Sequence, residues 1–321
     1  MSAVRRFLPG LALALLVALP AFAGKFYVDL FAKIMIMAVF AMSLDLLVGF
    51  TGLVSLGHAA FFGLASYVAV LAAPDKYAAA NLWTSLPLAI GASALLALAI
   101  GALALRTRGV YFIMVTLAFS QLVYFVFHDT KLGGGSDGIY LYAKPAAKLG
   151  GWTLIDLGNN TQFYYVMLAL VVAVFAFLRL LLASRFGHAL AGIRSNEQRM
   201  RALGFNTYAY KLAAFTIAGA LAGAAGYFAA VQFGFVNPEM LSWHQSANVL
   251  LMVILGGSGT PFGAILGAFA FILLEDAFSL ATKHWLLLMG GFVILIVMLL
   301  PGGLASAGTR WRRWIPARSH G

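Results

Sequence analysis

Residues 185–226 read RFGHALAGIRSNEQRMRALGFNTYAYKLAAFTIAGALAGAAG, a polar, basic insert between two strongly apolar segments. Arg185, Arg194, Arg199, Arg201 and Lys211 stand there against a single acid, Glu197. Between two membrane spans, a loop of that charge belongs on the cytoplasmic side. Ser195 followed three residues later by Gln198 has the spacing of a capping box, and Gly204 sits where a helix would stop. One short helix is therefore expected over residues 196–203, about 12 Å long. Ile193, Met200 and Leu203 fall near one side of it. So short a helix buries too little surface to stand alone and needs the membrane core or a partner protein to hold it. Two readings fit: a docking element, or a positive loop that only sets orientation.

Composition fixes the solvent. The 321 residues are 63% hydrophobic and only 10% charged, far more apolar side chain than a soluble core can hide. An all-α, polytopic transmembrane bundle follows, because helices satisfy their own backbone polar groups in lipid. A formal net charge of +11 would suggest nucleic acid in a soluble protein. Here the basic residues cluster in loops and at both ends, where positive-inside topology accounts for them, so no nucleic-acid partner is expected. The absence of cysteine excludes disulfides, thiolate metal sites and a Cys nucleophile.

Residues 1–24 carry Arg5 and Arg6, an apolar run from Leu11 to Leu19 and Ala21-Phe22-Ala23, the pattern of a first span or a signal peptide, with a retained span preferred. Further spans are expected at 31–50, 84–105, 109–127, 162–182, 212–235, 241–257, after Gly263, and at 284–300, with a short loop at Pro74-Asp75-Lys76. Arg106 and Arg108 mark a return to the cytoplasm, and Asn237-Pro238-Glu239 ends a span. Counting from an inside N-terminus gives about ten crossings with both termini cytoplasmic. The transmembrane domain would run over 25–308, with the basic loop at 185–211 and an outer loop at 129–160 whose acids and lysines balance. Arg310, Arg312, Arg313 and Arg318 in the tail at 309–321 would stay inside, against anionic membrane lipid.

Glycine interrupts the apolar pattern twice, at Gly49 to Gly63 (GFTGLVSLGHAAFFG) and at Gly256 to Gly263 (GGSGTPFG). Irregular backbone at membrane depth survives only against protein or a water-filled cavity, which makes these breaks the candidate translocation pathway. Asp45, Thr51, Gly52, Ser55, Gly57, His58, Gln121, Gly257, Ser258 and Gly259 are its candidate residues. A carboxylate such as Asp45 within a span belongs against an interior cavity or a partner. His58 is either a relay or a hydrogen-bonded structural residue, the latter being preferred for a histidine without a second ligand at helical spacing. Thr116, Ser120 and Gln121 form a polar face suited to another helix or a substrate. Gly219, Gly223, Gly263 and Gly267 sit at spacings that let helix backbones approach, for packing first and as a dimer face second.

The stretch LLVGFTGLVSLGHAAFFG, the GGSGTPFGA break, the GGGSDGI loop and the run from Arg194 through Ala202-Leu203-Gly204 and Lys211 to Phe215 together resemble permeases of the branched-chain amino acid ABC importer family (LivM/LivH type). The resemblance covers about Met42 to Gly303. It implies a non-enzymatic subunit of a bacterial inner membrane importer, with a coupling helix seated in a cleft of an ATPase subunit. Arg194, Ser195, Asn196, Glu197, Arg199, Arg201 and Gly204 would carry that docking. No P-loop occurs in the chain, so ATP would be bound by two separate ATPase subunits. A second related permease and a periplasmic substrate-binding protein complete the implied assembly. The implied small-molecule substrates are branched-chain amino acids, while similar permeases carry urea, short amides or other small organic solutes. An ion-coupled secondary transporter using Asp45 or His58 is the competing class. An intramembrane hydrolase built on Ser258 with His58 or His284 lacks any readable oxyanion arrangement.

Overall fold

The computed structural model describes residues 14–73, 78–149, 152–300 and 302–306. The expectations placed on Arg5 and Arg6, on Pro74 to Lys76 and on the tail at 309–321 lie outside the described residues. The described chain opens in helix at 14–22 (α1). It continues through α2 (Lys25–Asp45, running on as a π-helical stretch Leu46–Thr51), α3 (Ala59–Leu71), α4 (Leu82–Ala104) and α5 (Val110–Asp129). The strands β1 (Ile139–Tyr140), β2 (Ala146–Leu149) and β3 (Trp152–Asp156) come next, then α6 (Asn160–Ala183), α7 (Arg185–Ser195), α8 (Glu197–Ala202) and α9 (Thr207–Phe233). Strand β4 (Phe235–Val236), α10 (Trp243–Gly256), α11 (Pro261–Ala281) and α12 (Trp285–Leu299) complete the order.

Seven of the described helices are long and apolar enough to cross a membrane. The expected membrane bundle is therefore present, but α3 and α10 are half-length helices of 13 and 14 residues, each joined to non-helical chain. The described structure is also not purely helical. β2 and β3 form a hairpin and β1 pairs with β4, both antiparallel. The β1–β4 pair exists because Gly234, at φ 65°, ends α9 in the left-handed conformation that only glycine takes cheaply. The chain then enters extended backbone beside the loop after α5, with the Tyr140 and Phe235 rings 4.7 Å apart. The span accordingly ends at Phe233, ahead of the expected Asn237-Pro238-Glu239.

Helix α2 is buried almost throughout from Ile34 to Asp45, as a mostly apolar stretch must be inside a bundle, while its first turns carry Lys25, Asp29 and Lys33. Around it lie α11, α9 and α6, and α9 in turn packs most closely on α3 and α4, because it presents small residues to them. A methyl group placed on Gly223 would lie 2.6 Å from the Ser93 Cβ, and one on Gly219 would collide with Ala97, both on α4. Gly226 meets the backbone of Phe62 on α3 in the same way, and Ser66 donates to the Gly226 carbonyl at 2.7 Å. Gly267 likewise seats α11 against Met252 and Gly256 of α10, and Gly263 lies against Gly256 and Thr260. At Gly219, Gly223, Gly263 and Gly267 alike, an added Cβ would run into neighbouring chain. The bundle thus has two unlike ends: one carries the strands and the loop after α5, the other carries α7 and α8.

Candidate functional site

The basic insert folds into two helices where one was expected. Ser184 starts α7 by accepting from the Phe186 N–H at 3.2 Å, and Leu190 and Ile193 are buried against the bundle. Asn196 is extended, at φ −159° and ψ 97°, and separates α7 from α8. It caps α8 by accepting from the Arg199 N–H at 2.9 Å. Ser195 was the expected cap, but it is still the last helical residue of α7 and its hydroxyl donates back to the Gly192 carbonyl at 2.9 Å. A cap needs a non-helical backbone, which only Asn196 has here. Gly204, at φ 85°, stops α8 as expected, with Phe205 N–H donating to the Met200 carbonyl at 3.1 Å. Ile193, Met200 and Leu203 do not share one side: Ile193 is buried on α7, Met200 packs on Gly192, and Leu203 is exposed.

Glu197 ties α8 to the start of α9. Its carboxylate accepts from Arg201 Nη2 at 2.6 Å, from Lys211 Nζ at 2.6 Å and from the Thr207 hydroxyl at 3.1 Å. Partial burial alone would raise its pKa, but the hydrogen bond and charge of Lys211, with Arg201 and Thr207, bring it down to about 2. Gln198, Arg199 and Leu203 are left exposed on α8, beside Phe205.

Arg194 is exposed as they are, but its guanidinium also reaches the bundle. From the last turn of α7 its Nη1 donates to the Gly49 carbonyl, in the π-helical end of α2. One helical turn earlier, Asp45 is 1% exposed, and its Oδ1 accepts from the Gly259 N–H at 2.8 Å. Its Oδ2 is buried with no hydrogen-bond partner, so the carboxylate has capacity for another donor. Gly49 and Gly259 approach too closely for any side chain on Gly49, and Gly259 sits at φ 90°. Both glycine breaks and the basic helix pair therefore meet at one joint: Asp45, Gly49, Arg194 and Gly259.

A second polar cluster lies deeper, where the N-terminal ends of α3 and α10 meet. The Ala59 N–H donates to Ser246 Oγ at 2.9 Å. His58 is fully buried, with its Nε2 2.8 Å from Ser43 Oγ and its ring stacked on Phe40, while its Nδ1 is buried with no hydrogen-bond partner. Ser120 of α5 donates to the Leu241 carbonyl at 3.2 Å, and Gln121 Nε2 is buried without a partner. Among the remaining pathway candidates, Thr51 donates to the Leu47 carbonyl at 2.6 Å and Ser55 accepts from the Gly57 N–H at 3.2 Å. Gly52 and Ser258 are exposed and Gly257, at φ 101°, is buried against Gly302 and Gly303. The structure thus brings Asp45 and Gly259 together, sets His58 apart from them, and leaves Gln121 on a different helix. Gly49, Ser43 and Ser246 were not singled out in the sequence. Their partners lie 145, 15 and 187 residues away, and only for Ser43 and His58 was the separation short.

The sequence profile of a family described as branched-chain amino acid transport system / permease component matches residues 26–300. The chain is 32% identical over 311 residues to the high-affinity branched-chain amino acid transport system permease protein LivM of Salmonella typhimurium and of Escherichia coli, covering 91% of this chain and 73% of theirs. It is also 31% identical over 145 residues to the autoinducer 2 import system permease protein LsrC of Photorhabdus laumondii, covering 43% of this chain and 44% of that protein. No solved structure matches.

Proposed function

The chain belongs to the family of branched-chain amino acid transport system permease components, and from that premise we propose how it couples ATP to movement of the solute. It is the non-catalytic, multi-pass membrane subunit of an ABC transport system. Two ATPase subunits bind and hydrolyse ATP, a second related permease completes the membrane unit, and a periplasmic binding protein delivers the substrate. In this reading α7 and α8 face the cytoplasm, and the strands and the loop after α5 face the periplasm. With α1 counted, and with α3 and α10 each completed by non-helical chain, the crossings number about ten and both termini are cytoplasmic.

One observation carries the mechanism: Arg194 belongs to the cytoplasmic helix pair, yet it holds the Gly49 carbonyl beside the Asp45–Gly259 contact. Helix α8 offers Gln198, Arg199 and the Leu203–Phe205 corner to the ATPase. Glu197 and Gly204 keep it short and stiff, so a push on α8 moves α7 as a unit. Arg194 passes that displacement to the end of α2, and Asp45 passes it to the second break. Asp45 Oδ2, free in this state, is the acceptor to which Arg194 transfers when it leaves Gly49. The pathway runs beside the two breaks, from Thr51, Gly52, Ser55, Gly57 and His58 to Gly257, Ser258 and Gly259, with Gln121 facing it from α5. Branched-chain amino acids are the substrates, as in the name of the LivM relatives.

Reconstituting the complete importer with Arg194→Ala tests this. The complex should still assemble and bind its ATPases, while leucine uptake falls by at least about tenfold relative to ATP hydrolysed. Uptake equal to wild type would remove Arg194 from the mechanism.

A further inference from the structure

At the end of the bundle opposite α7 and α8, the N-terminal half of α2 borders a cavity of about 520 Å³ shared with α6, α9 and α11. Lys25, Lys33 and Lys144 line it together with Asp29 and Asp276. So many charges around one cavity would ordinarily neutralise each other in contact, but only Lys33 does so, 3.6 Å from Glu275. Lys25 and Asp276 have no opposite charge within 4.0 Å among the described residues, and Lys144 Nζ has only the Phe163 ring, 6.0 Å from its centroid. Asp29 accepts from Asn160 Nδ2, which occupies one of its oxygens.

Gln232 supplies the most specific observation. Its Nε2 donates to the Asp29 carbonyl at 2.7 Å, which fixes the amide orientation and aims Oε1 the other way. That Oε1 is buried and has no donor. A buried acceptor left without a donor is costly, and it points to a donor absent from the chain itself. Around this cavity Gln232 and two carboxylates offer acceptors that suit an ammonium with several N–H bonds, and the lysines suit an oxyanion.

We propose that this cavity binds a zwitterion, a primary ammonium held by Gln232, Asp29 and Asp276 and an oxyanion held by Lys25, Lys33 and Lys144. Two sources share that chemistry: the headgroup of phosphatidylethanolamine and a free α-amino acid. Only the second rests on the transport function above. A quaternary ammonium has no N–H to give Gln232, so phosphatidylcholine should bind the same site more weakly. The ammonium end distinguishes this site from a merely basic patch, which would accept any anionic lipid.

The test uses the purified full-length permease complex in nanodiscs of phosphatidylcholine alone, titrated separately with short-chain phosphatidylethanolamine and with leucine. Saturable binding of phosphatidylethanolamine, with phosphatidylcholine weaker by about tenfold, supports a lipid headgroup site. Saturable binding of leucine under the same conditions supports a free amino acid site. In either case Asp276→Asn and Lys144→Gln should each weaken the bound zwitterion several-fold, and N,N,N-trimethylleucine should not compete. No binding of either probe by the wild type, or binding that ignores both substitutions, overturns the proposal. The wild-type comparison stands even if a variant fails to fold. Because neither substitution touches Arg194 or Asp45, failure here leaves the coupling mechanism standing.

Discussion

Glycine is used in two opposite ways in this molecule. Along α9, Gly219, Gly223 and Gly226 sit inside a continuous helix, and their missing side chains let α4 and α3 pack against it. At the joint, Gly49 and Gly259 lie at interruptions of regular structure, and their missing side chains let a carboxylate and a guanidinium reach backbone groups. The first contact extends over several turns and is mostly close packing of small and apolar groups, with a few serine hydrogen bonds such as that of Ser66 to the Gly226 carbonyl set into it. It has one good arrangement and resists displacement. The second consists of two polar contacts plus an unused carboxylate oxygen, so it has an alternative arrangement close at hand. A transporter needs both, a stiff frame and a joint that can exchange partners.

The frame should break hardest. Gly223→Leu drives a branched side chain into Ser93, which the α9–α4 contact cannot absorb, so folded protein should be lost on gel filtration. A monodisperse complex at wild-type yield would mean that this face is looser than the packing indicates. At the joint the outcome should be the reverse: Asp45→Asn keeps the volume and an acceptor for the Gly259 N–H. The protein should purify normally while transport per ATP falls by about tenfold. If its loss of folded yield matches that of Gly223→Leu, the two regions are not different in kind.

Ser246→Ala probes the place where the half-helices α3 and α10 meet. It strands the buried Ala59 N–H at a cost of about 1–3 kcal/mol. A thermal melt of the detergent-solubilised complex should fall by several degrees, and an unchanged melt would show that the contact is dispensable. The smallest effect belongs to Glu197, whose partly exposed ion pairs are worth about 1 kcal/mol or less each. Its carboxyl is held at about 2, below its ordinary 4.5. The stability it adds is therefore complete above about 4.5 and is lost as pH falls toward 2. Glu197→Gln should lower the melt at pH 7, and its difference from wild type should shrink below about pH 4.5. A difference independent of pH would assign the effect to packing.

Much of the frame was legible because its signals are local. Apolar runs marked the long helices, small residues four apart marked the packing faces, and Gly204 marked the end of α8. The choice between Ser195 and Asn196 as cap was not legible, since it depends on which of two adjacent polar residues leaves helical backbone, and α7 itself settles that by continuing through Ser195. The glycine breaks stood out from their apolar surroundings, but nothing local says that α3 and α10 are half-helices whose ends meet. Arg194 was read as one more exposed charge of a docking loop. Its true partner is a backbone carbonyl 145 residues earlier, and a carbonyl leaves no mark in a sequence. Asp45 was noticed because a carboxylate in a span is costly, although its partner, the N–H of Gly259, could not be read.

The account's central claim is that the joint carries motion from α8 to the second glycine break. The chain has no cysteine, so spin labels can be placed at Gln198→Cys on α8, at Ser258→Cys in the break and at Lys131→Cys at the far end, two at a time, in the assembled importer. On trapping with ATP, the 198–131 and 258–131 distances should both shift while 198–258 stays nearly constant, and Arg194→Ala should uncouple 258 from 198. If residue 198 moves and residue 258 stays still in the wild type, the joint transmits nothing and the mechanism is wrong.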